Sequence, residues 1–416
     1  MVSTSLLVLA LLPFAYYLLS LSCVIGYFRD LRKPSTARVP FTPPASIVKP
    51  VRGLDHEAYE NFASFCRLDY PEYEVLFAVS DAHDPVCAII ERLRADFPAC
   101  SIRLITTVPR IGTNDKVNNL CQLAQNAKYD LLVMSDSDVR VEPDYLKEVI
   151  APFADPEVGA VTAFYKSLSA GNLASNLDAL GMYMDSAPAA LVAKKIEGKM
   201  QFAFGWTMAT SRGRLAEIGG WREMANFHSD DFELGNRIAR CGHRIELMKK
   251  PVSMVFPKET LTEHFRRELR WSIGLRSVRP LGYWGLVFTH GLPWALVGAA
   301  AAMSINSMQL AFSYLATYLI LRVGLTWTTG KWGLGDRQLL KILWLVPLRD
   351  AISFIIWAVG FFTDKIIWRG LAYYVKNGQL IPRQTANRTT EGVRLDLSTS
   401  VGRAAVSTEK APQMPN

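Results

Sequence analysis

The distribution of apolar residues divides the chain into membrane segments and a soluble part. Residues 6–28 carry no charged side chain, and a helix of about 20 apolar residues can span the hydrocarbon core of a bilayer. Further long apolar stretches occur only in the last third of the chain, at residues 281–303, 310–325 and 339–362. We therefore predict an N-terminal transmembrane anchor at residues 1–32 and a C-terminal transmembrane region at residues 281–362.

The sequence allows either three or four spanning helices, because Arg349 and Asp350 interrupt the last apolar stretch. Charged side chains are costly in a bilayer unless they face protein, water or each other. If the last stretch spans, the chain crosses four times; if it is interfacial or re-entrant, the chain crosses three times. The prediction is one N-terminal and two or three C-terminal transmembrane helices.

Basic residues set the expected orientation. The first apolar run is followed directly by Arg29, Arg32, Lys33 and Arg38, and cytoplasmic loops of membrane proteins are rich in Lys and Arg. A signal peptide is disfavoured, because no basic residue precedes the run and no small-residue cleavage site follows it. We expect a multi-pass integral membrane protein whose soluble part is cytoplasmic.

Between the membrane segments, short apolar runs alternate with helical patterns. Strand character is found at residues 45–48, 73–79, 102–106, 131–134 and 158–162, and helical periodicity at residues 55–68 and 85–97. This alternation predicts an α/β domain at residues 43–280, with a mostly parallel sheet and helices on both faces. Ligands of such sheets bind beyond the carboxyl ends of the strands.

The charge distribution and the cysteine spacing argue against a nucleic-acid-binding protein and against a disulfide or zinc scaffold. The net charge of +8 is spread over the membrane flanks and the tail, so an anionic membrane surface accounts for it and no nucleic-acid partner is expected. The six cysteines include no CxxC pair, so neither disulfides nor structural zinc is expected. Residues 363–416 are interpreted as a basic interfacial segment followed by a tail that is disordered after about residue 384.

Two predicted strands end in carboxylates. The run at 73–79 leads into Asp81, and the run at 131–134 leads into Asp136 and Asp138. Each acid alone could be a turn former. Together they suit a Mg²⁺ or Mn²⁺ ion that neutralises a nucleoside diphosphate. In an extended segment Asp136 and Asp138 point to the same side, so one can meet the ribose and the other the metal.

Two predicted helix starts offer further candidates. Residues 110–119 are typical of a turn that feeds a helix and aims Lys116 at an anion, although a capped helix with a solvated lysine fits equally well. In residues 227–235, Ser229, Asp230 and Asp231 fit an N-cap followed by first-turn acids. Alternatively, one of these carboxylates is a general base that deprotonates an acceptor hydroxyl.

A basic cluster lies just before the C-terminal membrane region. On a helix, Arg267, Arg270 and Trp271 fall on one side, since they are three and four residues apart. Such a cluster is typical of an interfacial anchor with its tryptophan in the aromatic belt. Arginines also bind pyrophosphate well, and a tryptophan can form the floor of a sugar pocket.

Taken in order, these segments resemble the ceramide glucosyltransferase family, a branch of the inverting, membrane-bound glycosyltransferases with a GT-A (Rossmann-like) fold. The resemblance covers about residues 45–271 and the flanking membrane helices. It rests on three spaced aspartates followed by a (Q/R)xxRW motif. The matching segments are 48–53 (VKPVRG), 68–75 (LDYPEYEV), Asp81 with 84–85 (DP), 116–119 (KVNN), 136–140 (DSDVR), 230–231 (DD) and 267–271 (RELRW).

On the donor side, the resemblance implies that a UDP-sugar and a divalent metal, Mn²⁺ or Mg²⁺, are bound. Asp81 corresponds to the residue that contacts the uracil, and Lys116 to one that approaches the nucleotide. Asp136 and Asp138 correspond to the ribose and metal ligands. Arg270 corresponds to the pyrophosphate ligand.

On the acceptor side, the resemblance implies that Asp231 is the general base. Its neighbour Asp230 and the aromatic Trp271 correspond to residues of the acceptor or sugar pocket. The implied reaction transfers a sugar, glucose from UDP-glucose in this family, with inversion to the hydroxyl of a membrane lipid such as ceramide. The partners are then the UDP-sugar, the lipid acceptor and the bilayer, and the metal is the only cofactor.

One departure from the family pattern leaves the acceptor open. Residues 136–138 read Asp-Ser-Asp where animal ceramide enzymes have Asp-Ser-Gly. A similar bacterial branch transfers N-acetylglucosamine to hopanoids, and the expected location is a bacterial inner membrane. A processive polysaccharide synthase would share the motifs but needs a larger transmembrane channel. A non-catalytic receptor or transporter subunit would leave the joint presence of the motifs unexplained.

Overall fold

The computed structural model describes residues 2–33, 41–106 and 108–383. The predicted disorder after residue 384 lies outside these ranges. The strands are β1 (Ala45–Pro50), β2 (Tyr73–Ala78), β3 (Ser101–Ile105), β4 (Leu131–Ser135), β5 (Val139–Arg140), β6 (Val158–Thr162), β7 (Tyr165–Ser169), β8 (Thr207–Ser211), β9 (Arg244–Leu247), β10 (Val252–Phe256), β11 (Lys365–Trp368), β12 (Leu371–Lys376) and β13 (Gln379–Pro382).

The α-helices include those that the sequence predicts at 55–68 and 85–97, each slightly shorter than expected. They are α1 (Val2–Leu9), α2 (Leu12–Leu31), α3 (Ala58–Cys66), α4 (Val86–Asp96), α5 (Asp115–Asn126), α6 (Tyr145–Ile150), α7 (Leu173–Gly181), α8 (Ala187–Glu197), α9 (Arg212–Glu217), α10 (Asp230–Arg240), α11 (Leu261–Val278), α12 (Pro280–Gly285), α13 (Gly291–Ser304), α14 (Met308–Trp327) and α15 (Val346–Val359). Short 3₁₀ and π segments connect several of them.

A seven-stranded sheet carries the soluble domain, in the order β3-β2-β1-β4-β8-β6-β9. The four strands β3, β2, β1 and β4 are mutually parallel, and β8 runs antiparallel to both of its neighbours. All six residues of β1 are buried, as expected of an apolar strand covered on both faces. The prediction of an α/β domain with a mostly parallel sheet is confirmed.

The membrane segments differ in part from the apolar stretches of the sequence. Two helical segments, Val2–Leu31 and Met308–Gly333, are long and apolar enough to cross a bilayer. The stretch at 281–303, predicted as one helix, is instead bent by 51° between Pro280–Thr289 and Gly291–Ser304. Pro293 lacks the N–H that an uninterrupted helix would require, and it lies in the first turn of α13, where no donor is needed.

The last apolar stretch, 339–362, is not one long helix either. Its α-helical part, α15, has 14 residues, which is about 21 Å and shorter than the hydrocarbon core of a bilayer. Arg349 and Asp350 are buried within the protein. The described part of the chain therefore contains two helical segments of spanning length, or three if the bent pair counts as one.

Ion pairs account for the charges in this apolar region. Asp350 accepts hydrogen bonds from the Arg322 guanidinium, at 2.7 and 3.1 Å, and from the Leu292 backbone N–H at 2.8 Å. Arg322 also pairs with Asp185 at 2.7 Å. Arg349 donates to Glu268 of α11 at 2.7 Å. These bonds connect the membrane helices to the helix that carries the RxxRW sequence.

A three-stranded antiparallel sheet follows the membrane region, in the order β11-β12-β13. The interpretation of residues 363 onward as a basic interfacial segment did not include this sheet. Its third strand is bonded to the soluble domain, because the Leu380 N–H donates to Asn226 O at 2.7 Å and the His228 N–H donates to Gly378 O at 2.8 Å. The chain up to Pro382 forms one compact unit, so the proposed boundaries at 43–280 and 281–362 stay predictions.

We predict that Asp350→Leu destabilises the protein strongly. The substitution leaves the buried Arg322 with Asp185 as its remaining carboxylate partner and removes the acceptor of the Leu292 N–H. Breaking a buried ion pair in this way costs roughly 3–5 kcal/mol, so the unfolding temperature in detergent should fall by several degrees. Asp69→Asn, in the exposed pair with Lys147, is the control and should leave it nearly unchanged. Equal unfolding temperatures for the two variants would contradict the prediction.

Candidate active site

Lys116 joins two groups of carboxylates at the carboxyl ends of the parallel strands. Its ammonium nitrogen lies 2.9 Å from Asp136 Oδ1 and 3.2 Å from Asp230 Oδ2. Burial lowers the pKa of Lys116, but the Asp136, Asp230 and Asp231 carboxylates outweigh it, so the pKa is raised overall. The ammonium is therefore a permanent positive charge at the centre of the acids.

The start of helix α5 explains how Lys116 is positioned. The Asn114 side chain caps the helix by accepting a hydrogen bond from Val117 N at 3.3 Å. Asn114 also donates from its side-chain amide to Phe227 O at 2.7 Å and from its backbone to Ala225 O at 2.8 Å. Because residues 225–227 lead directly into α10, these bonds bring Lys116 to Asp230. The predicted turn feeding a helix is present, and the helix is capped.

Asp136 and Asp138 lie in a tight turn between β4 and β5 rather than in an extended segment. The intervening Ser137 hydroxyl donates to Asp55. Beneath the turn, the fully buried Lys49 donates to Asp136 O at 2.8 Å. Burial lowers the pKa of Lys49 to about 7, against the opposing effect of Asp136 and Asp138. The turn is thus held from below by a lysine and from the side by Asp55.

Asp138 has the properties expected of a metal ligand. Burial, together with the nearby Asp136 and Asp55 carboxylates, raises its pKa to about 7. Its Oδ1 atom is buried and has no hydrogen-bond partner among the described residues. An unpartnered carboxylate oxygen is costly, and a divalent cation would satisfy it. Carboxylate oxygens are also the ligands that Mg²⁺ and Mn²⁺ prefer, so the residues present fit such an ion.

A second group, Asp178, His264 and Glu268, has ligand atoms within 4.8 Å of one another. Its charges are already paired. Asp178 accepts from His264 at 2.6 Å and from Arg267, and Glu268 accepts from Arg349 at 2.7 Å. A cation here would have to displace two arginines. We therefore interpret this group as a structural ion-pair cluster and favour Asp136 and Asp138 for the metal.

Asp231 lies at the start of α10 without capping it in the usual way. Its Oδ2 accepts a hydrogen bond from Gly205 N at 3.0 Å, and its Oδ1 accepts from Phe232 N at 2.8 Å. The Ser229 side chain, at the N-cap position, makes no capping bond. Burial and the adjacent Asp230 raise the pKa of Asp231 to about 6. A carboxylate with this pKa is a competent general base near neutral pH.

Gly205 allows this contact because it has no side chain. A Cβ atom at this position would lie 3.2 Å from Lys116 Nζ and 3.3 Å from Asp231 Oδ2. Asp230, by contrast, is buried and faces Lys116. The neighbouring acids therefore differ in environment, with Asp231 bonded to backbone N–H groups and Asp230 paired with a lysine. A contact between Asp230 and the acceptor or sugar stays a prediction.

The RxxRW sequence lies on helix α11, which begins with a capping box formed by Thr260 and Glu263. Arg267 is occupied structurally, because it pairs with Asp178 and with Glu259. The Arg270 guanidinium lies 5.8 Å from the ring centre of Trp271 and makes no hydrogen bond to any residue that the structure describes. Burial, with the nearby Arg267, lowers the pKa of Arg270 to about 10. Arg270 is therefore the arginine available for an anion.

Asp81 lies apart from the other acids. Its side chain is 71% exposed, and Oδ1 accepts a hydrogen bond from the His83 N–H at 2.9 Å, which lowers its pKa. It follows β2, which is separated from β4 by β1, a lateral distance of about 10 Å. The edge between Asp81 and Asp136 is wide enough for a flat base and a ribose.

Four residues at this site were not predicted from the sequence: Lys49, Asp55, Gly205 and Arg369. Lys49 could have been found, because it directly follows the predicted strand at 45–48, and it is the one charged residue of β1. Arg369 precedes Gly370 and donates to Asp55 Oδ1 at 3.1 Å. Arg369 comes close to the acids only through this long-range contact, which no local sequence pattern indicates.

Comparisons with known proteins give the family. The sequence profile described as Glycosyl transferase family 21 matches residues 5–381. Ceramide glucosyltransferase 3 of Caenorhabditis elegans is 23% identical over 232 residues, which cover 55% of this chain and 50% of that protein. Beta-monoglucosyldiacylglycerol synthase of Synechocystis is 25% identical over 233 residues, 55% of this chain and 47% of that protein. The chain thus spans about half the length of these curated relatives.

Among solved structures, a mannosyltransferase from Pyrobaculum calidifontis in complex with GDP-Man and Mn²⁺ superimposes with a TM-score of 0.53 at 20% identity. The match covers 84% of this chain and 98% of that chain. At this identity the similarity shows the fold alone, and it confirms the predicted GT-A architecture.

For the metal site, we predict that chelation abolishes activity, that Mn²⁺ or Mg²⁺ restores it, and that Asp138→Ala removes activity while the protein stays folded. Titration of Mn²⁺ by electron paramagnetic resonance, in the presence of UDP, should show loss of binding in Asp138→Ala. Glu268→Gln is the matched control for the ion-pair cluster and should still bind Mn²⁺. If Glu268→Gln lost Mn²⁺ binding and Asp138→Ala kept it, the metal would be assigned to Asp178, His264 and Glu268. Full activity in excess chelator would exclude a metal site at Asp136 and Asp138.

For the base, we predict that Asp231→Asn lowers transfer by at least about a hundredfold while UDP binding persists, because general-base catalysis is worth roughly 10²–10⁴-fold. Asp231 acts only when ionised, so at saturating metal the wild-type kcat/KM should fall tenfold per pH unit below about 6. This acidic limb should be absent in Asp231→Asn. Asp230→Asn is the internal control and should cost distinctly less. A reversed order would identify Asp230 as the base.

Proposed function

The chain belongs to glycosyl transferase family 21, and on this premise we propose that it transfers glucose from UDP-glucose, with inversion, to the primary hydroxyl of ceramide in a membrane. The observation that carries the proposal is the arrangement around Lys116. Lys116 pairs with Asp136, one of the two carboxylates suited to a metal, and with Asp230, the neighbour of the carboxylate suited to proton removal. The proposed reaction uses both a base and a metal.

The relatives support a lipid acceptor. Those named above are a ceramide glucosyltransferase and a glucosyldiacylglycerol synthase, and both names describe sugar transfer to a lipid. The ceramide glucosyltransferase of Candida albicans is 33% identical over 118 residues, 25% of this chain and 22% of that protein. Because each match covers half or less of the relative, the activity of this chain is part of the proposal.

In the proposed mechanism, the donor binds across the carboxyl ends of β2, β1 and β4. Asp81 contacts the uracil and Asp136 the ribose. Arg270 takes up negative charge as UDP departs, because its guanidinium has no competing hydrogen bond among the described residues. Asp231 then removes the proton of the lipid hydroxyl, whose oxygen attacks the anomeric carbon from the face opposite UDP. An α-linked donor gives a β-glycoside.

Asp136 and Asp138 would hold the divalent metal. When bound, it supplies charge neutralisation for the diphosphate leaving group. The Lys49 contact below the turn and the Asp55 contact beside it keep the two carboxylates in place without a nucleotide. These supports leave the buried Oδ1 atom of Asp138 without a hydrogen-bond partner among the described residues.

The acceptor is proposed to enter where α11 meets the membrane helices. The Trp271 side chain is 37% exposed. The next residue, Ser272, is hydrogen-bonded to the Tyr283 hydroxyl at 2.7 Å. The adjacent Leu281 and Trp284 are among the most exposed large apolar side chains. An exposed apolar surface beside α11 suits a lipid that approaches from the bilayer.

Contacts of the C-terminal sheet support a multi-pass topology with three spans. Strand β13 is bonded to residues 226 and 228 of the soluble domain, so both must lie on the same side of the membrane. The chain between α11 and β11 therefore crosses an even number of times. The bent pair α12–α13 together with α14 provides two crossings, and α15 then does not span. We propose that the soluble domain is cytoplasmic, because basic residues follow the first helix, and that the membrane is a bacterial inner membrane.

A second acceptor class is favoured by one relative. The Synechocystis protein, whose name describes a diacylglycerol lipid, matches as large a share of this chain as the worm ceramide enzyme. The acid at position 138, in place of the glycine of animal ceramide enzymes, also separates this chain from them. Diacylglycerol is therefore the alternative acceptor.

The test is an assay of the purified protein in detergent with Mn²⁺, in which UDP-glucose, UDP-galactose and UDP-N-acetylglucosamine are each paired with ceramide, diacylglycerol or a hopanoid. We predict a β-glucosylceramide product by mass spectrometry, formed from UDP-glucose. Product from diacylglycerol alone would establish the alternative acceptor. Product only from UDP-N-acetylglucosamine and hopanoid would overturn the proposal, as would turnover that needs no lipid.

A further inference from the structure

The turn between β11 and β12 reaches the acidic site from the far end of the chain. Arg369, at the tip of this turn, adopts a left-handed conformation with φ of 49°, and the following Gly370 has φ of 79°. Positive φ at both central positions is the geometry of a two-residue type I′ hairpin turn. Here it turns the Arg369 side chain toward residues more than 300 positions earlier.

The contacts of Arg369 are made to the acids beside the metal site. Its Nη1 donates to Asp55 Oδ1 and to Arg52 O, each at 3.1 Å, and its Nη2 lies 3.4 Å from Asp55 Oδ2. Asp55 is the same residue that accepts from Ser137, which lies between Asp136 and Asp138. Burial lowers the pKa of Arg369, but Asp55, Asp138 and Asp136 raise it overall. The guanidinium therefore lies within the field of the carboxylate pair.

The preceding residue connects the same turn to Arg270. The Trp368 ring lies 5.4 Å from the Arg270 guanidinium and 5.9 Å from the His228 ring. The sheet thus contacts the RxxRW helix through Trp368, the loop before Asp231 through β13, and the metal-site turn through Arg369. Three separate parts of the site are touched by one small sheet.

Two arginines from different elements now converge on the carboxylate pair. Arg270 comes from α11 and Arg369 from the β11–β12 turn. Burial lowers the pKa of Arg270, and repulsion by Arg267 and Arg369 lowers it further. Converging like charges are unfavourable without an anion between them. A diphosphate bound beside Asp136 and Asp138, with a divalent cation held by these carboxylates, would supply that anion.

We propose that Arg369 is a further diphosphate-binding residue, delivered to the donor site by the C-terminal sheet, and that Trp368 positions Arg270 beside it. The proposal rests on the function proposed above. The guanidinium has five N–H donors, and its contacts with Asp55 and Arg52 use three of them at most. The remaining donors can bind phosphate oxygens while the turn stays in place. Its side chain is 44% exposed, so the group is accessible to a ligand.

The experiment compares Arg369→Gln with Lys376→Gln, which removes one positive charge from the exposed end of β12 in the same sheet. UDP affinity is measured by calorimetry with saturating Mn²⁺, and Mn²⁺ affinity without nucleotide by electron paramagnetic resonance. We expect Arg369→Gln to weaken UDP binding by roughly ten- to a hundredfold, as for the loss of a charge-assisted hydrogen bond. Lys376→Gln should bind UDP as the wild type does.

The Mn²⁺ titration distinguishes the loss of a diphosphate contact from a collapse of the site's structure. Removing a cation beside Asp136 and Asp138 should leave Mn²⁺ affinity unchanged or increase it, whereas collapse of the site would weaken Mn²⁺ and UDP together. Arg369→Lys, which keeps the charge but not the fork, should lie between wild type and Arg369→Gln. Unchanged UDP affinity in Arg369→Gln, or parallel loss of Mn²⁺ and UDP, overturns the inference. Failure of the wild type to bind UDP would instead refute the proposed function itself.

Discussion

The buried ammonium of Lys116 is the interaction on which the site depends. Asp136 belongs to the turn after β4, and Asp230 begins a helix almost a hundred residues later, yet both lie within 3.2 Å of this one group. Without it, the Asp136, Asp230 and Asp231 carboxylates would repel one another in a poorly solvated region. The Asn114 bonds to residues 225 and 227 then fix the helix that carries Lys116. One cation therefore sets the distance between the proposed base and the proposed metal ligands.

The parts of the fold that were predictable are those determined by local pattern. Strands such as β2 and β4 are largely apolar runs, and the acids that follow them lie at the predicted edge of the sheet. The bend near His290 could have been inferred from Pro293, but the stretch was treated as one apolar run. Asn377-Gly378 is a strong hairpin signal between alternating residues, and it was overlooked in a segment interpreted as interfacial. The contact between Arg369 and Asp55 is a different case, because only the tertiary fold brings these residues together.

Charges in the membrane region have a structural explanation. Arg322 and Asp350 would each be costly in hydrocarbon, but they pair with each other, and Arg322 also pairs with Asp185. Arg349 extends the pairing to Glu268, two residues before Arg270 on the same helix. The apolar helices and α11, which carries Arg270, are thus joined by ion pairs rather than by apolar packing alone. This arrangement holds α11 at a defined position relative to these helices.

The position of the C-terminal sheet in the chain has a consequence for how the protein is made. Residues 365–382 leave the ribosome after every membrane segment, yet their partners at residues 226 and 228 and at Asp55 were synthesised long before. At translation rates of about 5–20 residues per second, roughly 8–30 s separate the emergence of Asp231 from that of β13. During this interval the backbone groups of residues 226 and 228 that pair with the sheet have no strand beside them. Pairing of the C-terminal sheet with residues 226 and 228 therefore follows synthesis of the apolar helices that precede the sheet.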